Sequence, residues 1–402
     1  MMQKREILIY AYEYTNFYHE KYNNIDLDAP WEEFPVTTKQ EIAHGGLSVV
    51  SSQYFSKLGG SDIISDYTSG STGEYMETYT TKAEQKKSML SLWLYRKKYY
   101  GIDTSSKLCY FFTFHRGGER SEFEYRKNGL GISKEFLTED NLEEIFEEIY
   151  RFEPQWMLLQ PSVAMILARY LFETGTEPIP SLKYIELSGE MFTEQQGNFI
   201  GRAFQVLVAS QYGCNEMGTI AYQCPCGSLH VMEHNVHVEI LNNGHPVEEE
   251  EDGNIIVTAK NNLVMPLVKY NTGDIGRFRK VQCKCGNRGA VIQLKGARKD
   301  DLVMMDDGTA ISASFFHRVF QEVQWGIEGR IFQYRVEQEE IDVFVVSVAT
   351  DEEQGKIESL FCQSIKTTRL SHATFQFRYY RYLLPEKQTG KLKFFICNAG
   401  KD

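Results

Sequence analysis

The sequence predicts an α/β protein of more than one domain. A large N-terminal region of α/β layers with largely parallel sheets and a short-strand β region is followed by a small C-terminal α+β domain. Three observations predict this. Residues 138–210 alternate helix-like and strand-like patterns. Residues 228–295 change to short strands and turns, and past Arg298 helices return among strands. A chain of 402 residues is also long for one core, which favours two or three domains.

The elements follow in order. Residues 1–65 read as short helices joined by turns, with Pro30 and Pro35 as breakers. Thr138 is placed to cap a helix whose Leu142, Ile145, Phe146 and Ile149 fall on one face. Trp156 to Gln160 reads as a short buried strand. Pro161 then suits a first helical turn, Val163, Ile166, Leu167 and Tyr170 form a stripe, and Gly175 suits the end. Tyr184 to Leu187 and Val206 to Ala209 read as the next strands. Such alternation implies a parallel sheet with ligands beyond the strand C-terminal ends. Ser188-Gly189-Glu190 and Gln211-Tyr212-Gly213 are both expected just past such a strand. The C-terminal unit reads as a helix near 312–323, strands near 331–337 and 341–349, a helix near 352–366 and a strand near 374–380. The acidic run Glu248 to Asp252 reads as a solvated loop.

Composition narrows the function classes. The chain is 42% hydrophobic and 24% charged, which is ordinary for a globular protein, and its net charge of -12 speaks against a general nucleic-acid binder. No stretch is long enough to span a bilayer, and the apolar run Ile7 to Tyr10 is too short for a signal peptide. The expectation is a soluble cytoplasmic protein with neither nucleic acid nor membrane as partner. Of its eight cysteines, four form the units Cys224-Pro225-Cys226-Gly227 and Cys283-Lys284-Cys285-Gly286. In a chain without an export signal such pairs read as metal ligands before disulfides. With His230 they offer five soft donors where zinc takes four, so four of Cys224, Cys226, His230, Cys283 and Cys285 are expected to hold a structural zinc.

The run Thr68-Ser69-Gly70-Ser71-Thr72-Gly73 combines hydroxyls and glycines whose N–H groups can converge on phosphate oxygens. It is not the common P-loop, because no Gly-Lys-Ser/Thr follows, and alone it reads as an exposed loop. Further motifs follow it: Ser188-Gly189-Glu190, Tyr212-Gly213-Cys214-Asn215-Glu216, Tyr270-Asn271-Thr272-Gly273-Asp274, Arg298-Lys299-Asp300-Asp301 with Gly308, and Thr389-Gly390-Lys391. Singly, each has a plain structural reading: a turn, a hairpin loop or a solvated lysine. Order and spacing together carry the information.

The series resembles the adenylate-forming superfamily of acyl-CoA synthetases, peptide-synthetase adenylation domains and luciferases. Within it, Ala11 to Tyr18 and Phe34-Pro35-Val36-Thr37-Thr38-Lys39 are similar to the phenylacetate-CoA ligase branch. The resemblance implies a large domain 1–297 and a small mobile domain 298–402, with a hinge near Asp300 and a zinc-clipped β region at about 220–290. It implies activation of a carboxylic acid by ATP as acyl-adenylate with release of pyrophosphate, then transfer to CoA or to the phosphopantetheine of an acyl-carrier protein, releasing AMP. By resemblance, residues 68–73 hold the departing phosphates, and Ser188, Gly189, Glu190, Gln211, Gly213 and Asn215 line the nucleotide site. Tyr212 lies against adenine, Glu216 holds Mg²⁺, Asp274 accepts from the ribose hydroxyls, and Arg298 adds a contact near ribose and phosphate. Lys391 reaches the α-phosphate. Gly308 lies along the thiol's path. Phe114, His115, Gly117 and Gly118 face the acyl group, with Phe114 and His115 favouring an aromatic acid. A mixed Cys₃His zinc set is implied. Glu74-Tyr75-Met76-Glu77 replaces the Pro-Lys-Gly of many members, Asn215 replaces Thr or Ser, and Ala297-Arg298 replaces Gly-Arg. Two other readings stay open: an adenylyltransferase that joins AMP to a cofactor hydroxyl, and a non-catalytic zinc-containing interaction protein. The small acid, the acceptor and the choice between monomer and homodimer are not specified.

Overall fold

Threonine hydroxyls start three helices near the N-terminal end. The Oγ1 atoms of Thr15, Thr38 and Thr81 accept from the backbone N–H of Tyr18, Glu41 and Glu84, starting the helices Asn16–Tyr22, Lys39–Gly45 and Lys82–Tyr100. Glu41 and Glu84 return bonds to the N–H of Thr38 and Thr81, two reciprocal capping boxes. In this computed structural model residues 2–68, 76–113, 121–298, 301–387 and 389–400 are described, with the backbone alone for 68 and 296–298. The chain divides into two units, Met1–Thr104 with Ala209–Lys295, and Ser105–Val208 with Gly296–Asp402.

In the first unit the strands run in the order His245–Pro246, Val236–Asn242, Gly253–Ala259, Tyr270–Arg279, Val291–Arg298, Leu229–Val231, Gly218–Gln223, Leu207–Cys214. Val236–Asn242 pairs antiparallel with Gly253–Ala259, and Leu229–Val231 with Gly218–Gln223. The β texture expected past 228 is therefore present, although Tyr270–Arg279 reaches ten residues. The N-terminal helices pack Ile7, Leu8, Ala11, Tyr18 and Tyr22 into one core with Ile220, Val257 and Tyr270. The Tyr18 hydroxyl accepts from the Val268 N–H at 2.9 Å. Helix Lys82–Tyr100 buries Leu92, Arg96 and Tyr100, and its Tyr95 ring stacks on Tyr222.

In the second unit, strands Tyr184–Ser188, Trp156–Leu159, Leu108–Phe112 and Gly129–Ser133 pair parallel in that order, with Phe123–Arg126 antiparallel at the edge. Helices Leu142–Phe152 and Pro161–Thr174 supply the two apolar stripes read from the sequence, and a further helix, Glu194–Phe204, buries Phe199, Ile200 and Phe204. Pro161 is the first residue of its helix and Gly175 ends it at φ 65°. Two expectations change. Asn141, not Thr138, precedes Leu142–Phe152 as N-cap. Gln211, Tyr212 and Gly213 lie inside the strand Leu207–Cys214, not past it, because the strand runs on to pair with Gly218–Gln223.

The C-terminal segment forms a sheet in the order Thr374–Tyr379, Val343–Thr350, Ile331–Glu340, Phe395–Cys397, with helices Phe315–Trp325 and Gln354–Ile365 packed on a core of Phe316, Phe344 and Phe361. The hairpin Leu302–Met304 to Ala310–Ser312 turns through Gly308 at φ 76°. This segment is joined to the parallel layer by apolar contact: Phe332, Ala349, Tyr382 and Leu383 belong to the same core as Ile166, Leu187 and Phe199. Arg169 is buried at the junction, its guanidinium 4.4 Å from the Phe332 ring centre and donating to the Arg381 carbonyl. Gln333 completes it, donating to the Leu383 carbonyl and accepting from the Leu383 N–H, each at 3.0 Å. No helix among the described residues is long and apolar enough to cross a membrane.

Candidate functional site

Two of the sequence motifs meet in the first unit. The Tyr212 hydroxyl donates to Asp274 Oδ2 at 2.8 Å and lies 3.3 Å from Thr272 Oγ1. The Tyr270 hydroxyl donates to Glu216 Oε1 at 2.7 Å. Each motif thus gives a tyrosine to the other's carboxylate. Burial and the Asp274 charge push the Tyr212 phenol well above its ordinary value, so it stays a donor. A carboxylate accepts at two oxygens, and one phenol does not exhaust it.

Local geometry explains the small residues between these side chains. The register shifts between Tyr212 and Gly213, and a Cβ on Gly213 would lie 2.2 Å from the Gly218 carbonyl oxygen, so only glycine fits the bulge. In the second motif the Gly273 N–H donates to Asn271 Oδ1 and the Asp274 N–H to Thr272 Oγ1, with Gly273 at φ 79°. This kink within the strand turns Asp274 toward Tyr212. Gln211 Nε2 donates to Thr219 Oγ1, and the exposed Asn215 amide donates to the Tyr67 carbonyl.

The second unit gathers the other chemistry-bearing residues. Ser188 is the last residue of its parallel strand, one beyond the expected end at Leu187, and Gly189 follows it at φ 86°. The Lys391 chain passes there, its Cε 3.8 Å from where a Gly189 Cβ would stand. Glu190 is fully engaged: it accepts from Ser162 N at 2.8 Å, Ser162 Oγ at 2.9 Å and Leu392 N at 2.8 Å. Arg298 ends the strand Val291–Arg298. Ser69, Gly70, Ser71, Thr72, Gly73, Phe114, His115, Gly117, Gly118 and Asp300 lie outside the described residues, and Thr68 is described in its backbone alone.

A third cluster lies in the first unit. The ligand atoms of Cys224, His230, Cys283 and Cys285 all fall within 4.8 Å of one another. Cys224 Sγ is 3.6 Å from Cys283 Sγ, and His230 Nε2 is 3.3 Å from Cys285 Sγ. A tetrahedral zinc with bonds of about 2.0–2.3 Å sets its ligand atoms roughly 3.3–3.8 Å apart. The donors therefore fit that ion, with Cys226 exposed and outside the set. Both Cys-x-Cys-Gly turns close alike, Gly227 N–H to the Cys224 carbonyl and Gly286 N–H to the Cys283 carbonyl, each glycine at positive φ. Around them the Asn287 N–H and the Tyr99 hydroxyl donate to Cys285 Sγ, while His230 Nδ1 faces the Gly289 carbonyl and leaves Nε2 toward the cluster. The sequence missed Tyr270 and Tyr99 as partners; only three-dimensional register brings them in.

No family model matches the chain. A curated phenylacetate-coenzyme A ligase from Thermus thermophilus is 27% identical over 165 residues, which is 39% of this chain and 37% of that protein. The chain thus spans little more than a third of that relative in the match. Among solved structures, 2-hydroxyisobutyryl-CoA ligase in its postadenylation state with an acyl-AMP matches with a TM-score of 0.74 at 15% identity, over 98% of this chain and 88% of that one. O-succinylbenzoate coenzyme A synthetase from Bacillus subtilis, in complex with AMP, matches with a TM-score of 0.53 at 17% identity, over 84% of this chain and 68% of that one. The chain has the fold of the adenylate-forming CoA ligases, and its sequence likeness is to their phenylacetate-CoA ligase-like branch.

Proposed function

We propose that the protein activates a small carboxylic acid with ATP and passes the acyl group to a thiol. The observation that carries this is the meeting of the 212–216 and 270–274 motifs, which sets Asp274 beside Tyr212 and Glu216 beside Tyr270. In the first step a carboxylate oxygen of the acid attacks the α-phosphorus of ATP, and the bond to pyrophosphate breaks. Asp274 fixes the ribose, Tyr212 backs the adenine, Arg298 contacts ribose and phosphate, and Lys391 donates to the α-phosphate oxygens where charge builds. Glu216 would hold Mg²⁺, which would supply positive charge to the phosphates. In the second step the acceptor sulfur attacks the acyl carbon, AMP departs with the C–O electron pair, and the thiol proton goes to solvent. The acid is read as aromatic from Phe114 and His115, the acceptor as CoA or a carrier-protein pantetheine, and the compartment as cytoplasm. The domain 298–402 turns about Asp300 between the steps, Gly308 then bordering the thiol's path. Zinc bound by Cys224, His230, Cys283 and Cys285 is structural, since a complete protein shell leaves no open position.

The deciding experiment is Mg²⁺-dependent ATP–pyrophosphate exchange over a panel of aryl and alkyl acids. Exchange with at least one acid is the expected result. Exchange with none, together with AMP incorporation into an alcohol cofactor, would transfer the assignment to an adenylyltransferase. Asp274→Ala is expected to raise the KM for ATP about 10–100-fold, the effect of losing charged hydrogen bonds worth roughly 1.5–3 kcal/mol. An unchanged KM would remove Asp274 from the ribose site.

A further inference from the structure

The loop that carries Lys391 is closed on itself by hydrogen bonds among Glu386, Thr389, Gly390 and Lys391. Glu386 N–H donates to the Lys391 carbonyl at 2.9 Å, Gly390 N–H donates to the Glu386 carbonyl at 2.7 Å, and Thr389 Oγ1 donates to Glu386 Oε2 at 3.1 Å. Two side chains from the parallel layer then hold the main chain on either side of Lys391. Lys134 Nζ donates to the Gly390 carbonyl at 2.6 Å, and Glu190 Oε1 accepts from the Leu392 N–H at 2.8 Å. Both holders sit at C-terminal strand ends, one residue past Gly129–Ser133 and two past Tyr184–Ser188. The fit is close: a Cβ on Gly390 would lie 2.0 Å from Thr113 Oγ1 and 2.7 Å from Lys134 Nζ, and Gly390 has φ 62°.

We infer that Lys134 and Glu190 form a clasp on the backbone flanking Lys391, and that both are positioning residues for the adenylation step. The functional half of this inference rests on the proposed ligase reaction. Burial lowers the Lys134 ammonium to about 8, with the Glu190 carboxylate opposing and the Lys391 charge adding to the shift. An amine held in so unfavourable a setting is poor material for general stability. Its contact with Gly390 ties it to the turn. Glu190 is fixed in turn by the Ser162 N–H and hydroxyl, so the clasp is anchored on the helix Pro161–Thr174.

Three variants test the clasp: Lys134→Met, Lys134→Arg and Glu190→Gln. Hydrogen exchange at the Leu392 amide reads the clasp without any need for activity. It is expected to quicken at least about tenfold in Lys134→Met and Glu190→Gln and to stay near wild type in Lys134→Arg, which retains a donor. In the same two variants acid-dependent pyrophosphate exchange is expected to fall roughly 10–100-fold in kcat, the cost of misplacing a catalytic group by about an ångström. Thioester formation from supplied acyl-adenylate should persist. Unchanged Leu392 exchange in both variants overturns the clasp whatever the activities are. Equal loss of both half-reactions with a lowered Tm overturns the positioning role and leaves a merely structural one. A wild-type protein inert toward every acid defeats the ligase reading and the positioning role with it, while the amide exchange still decides whether the clasp exists.

Discussion

Lys391→Ala lowers carboxylate-dependent ATP–pyrophosphate exchange by about 10²–10³, yet forms thioester at near wild-type rate when given a synthetic acyl-adenylate. That is the expected result because the proposed work of Lys391 is confined to one step. Negative charge accumulates on the α-phosphate while pyrophosphate leaves, and a positioned charged donor there acts like an oxyanion-hole donor, whose removal costs a comparable factor. The lysine stands beside Gly189, at the end of a parallel strand. In the proposed turn of residues 298–402 it would move away from the acyl carbon under attack, so its loss is expected to leave the second step alone. Equal loss in both half-reactions with the fold intact would mean that the role belongs to another residue, with Lys387 and Lys393 the next to test.

Removal of zinc is expected to have the other large effect, this time on stability. Binding at a structural zinc site counts directly as folding free energy. The four donors come from the turn after Gly218–Gln223, from the strand Leu229–Val231 and from the turn before Val291–Arg298, so the ion would clip three neighbouring strands. Even about 4 kcal/mol lost from a domain of 150–250 residues lowers Tm by roughly 8–16 °C. Chelation and Cys283→Ser should both produce such a drop, with one zinc per chain in the untreated protein. Cys226→Ser should retain the metal, because its thiol lies outside the cluster. Metal analysis without stoichiometric zinc in protein purified free of chelator would refute the site.

Much of the second unit was legible in the sequence because periodicity is a local signal. The stripes of Leu142–Phe152 and Pro161–Thr174, with Pro161 and Gly175 as their punctuation, could be read directly. The helix Lys82–Tyr100 was not among the elements read. Its buried face carries Arg96 between Leu92 and Tyr100, so the apolar stripe is broken, and only the Thr81-Glu84 capping box and Gly101 mark its ends. Gln211 to Gly213 were expected past a strand because motif residues usually are. The pairing that keeps them inside it depends on Gly218–Gln223, which no local window reports. The cysteine spacing offered five donors; choosing four required the distances. The crossed pairs Tyr212–Asp274 and Tyr270–Glu216 depend on register between distant segments and left no trace in either motif alone.

The core shared by the C-terminal segment and the parallel layer bears on how avidly the second substrate is held. The proposed turn of residues 298–402 would return Phe332, Tyr382 and Leu383 to water and strip Arg169 of its aromatic and carbonyl partners. Re-exposing a single large apolar side chain costs about 1.5–3 kcal/mol, and a gap of some 2.7 kcal/mol already holds a minor state near one per cent. Under that proposal the resting population competent to receive a thiol would be small, and the measured affinity for the acceptor would be its intrinsic affinity reduced by that fraction. Substitutions that loosen this junction, Phe332→Ala among them, would tighten apparent acceptor binding while slowing the first step. The partition between the two half-reactions would thus be set by a packing interface remote from either set of reacting atoms.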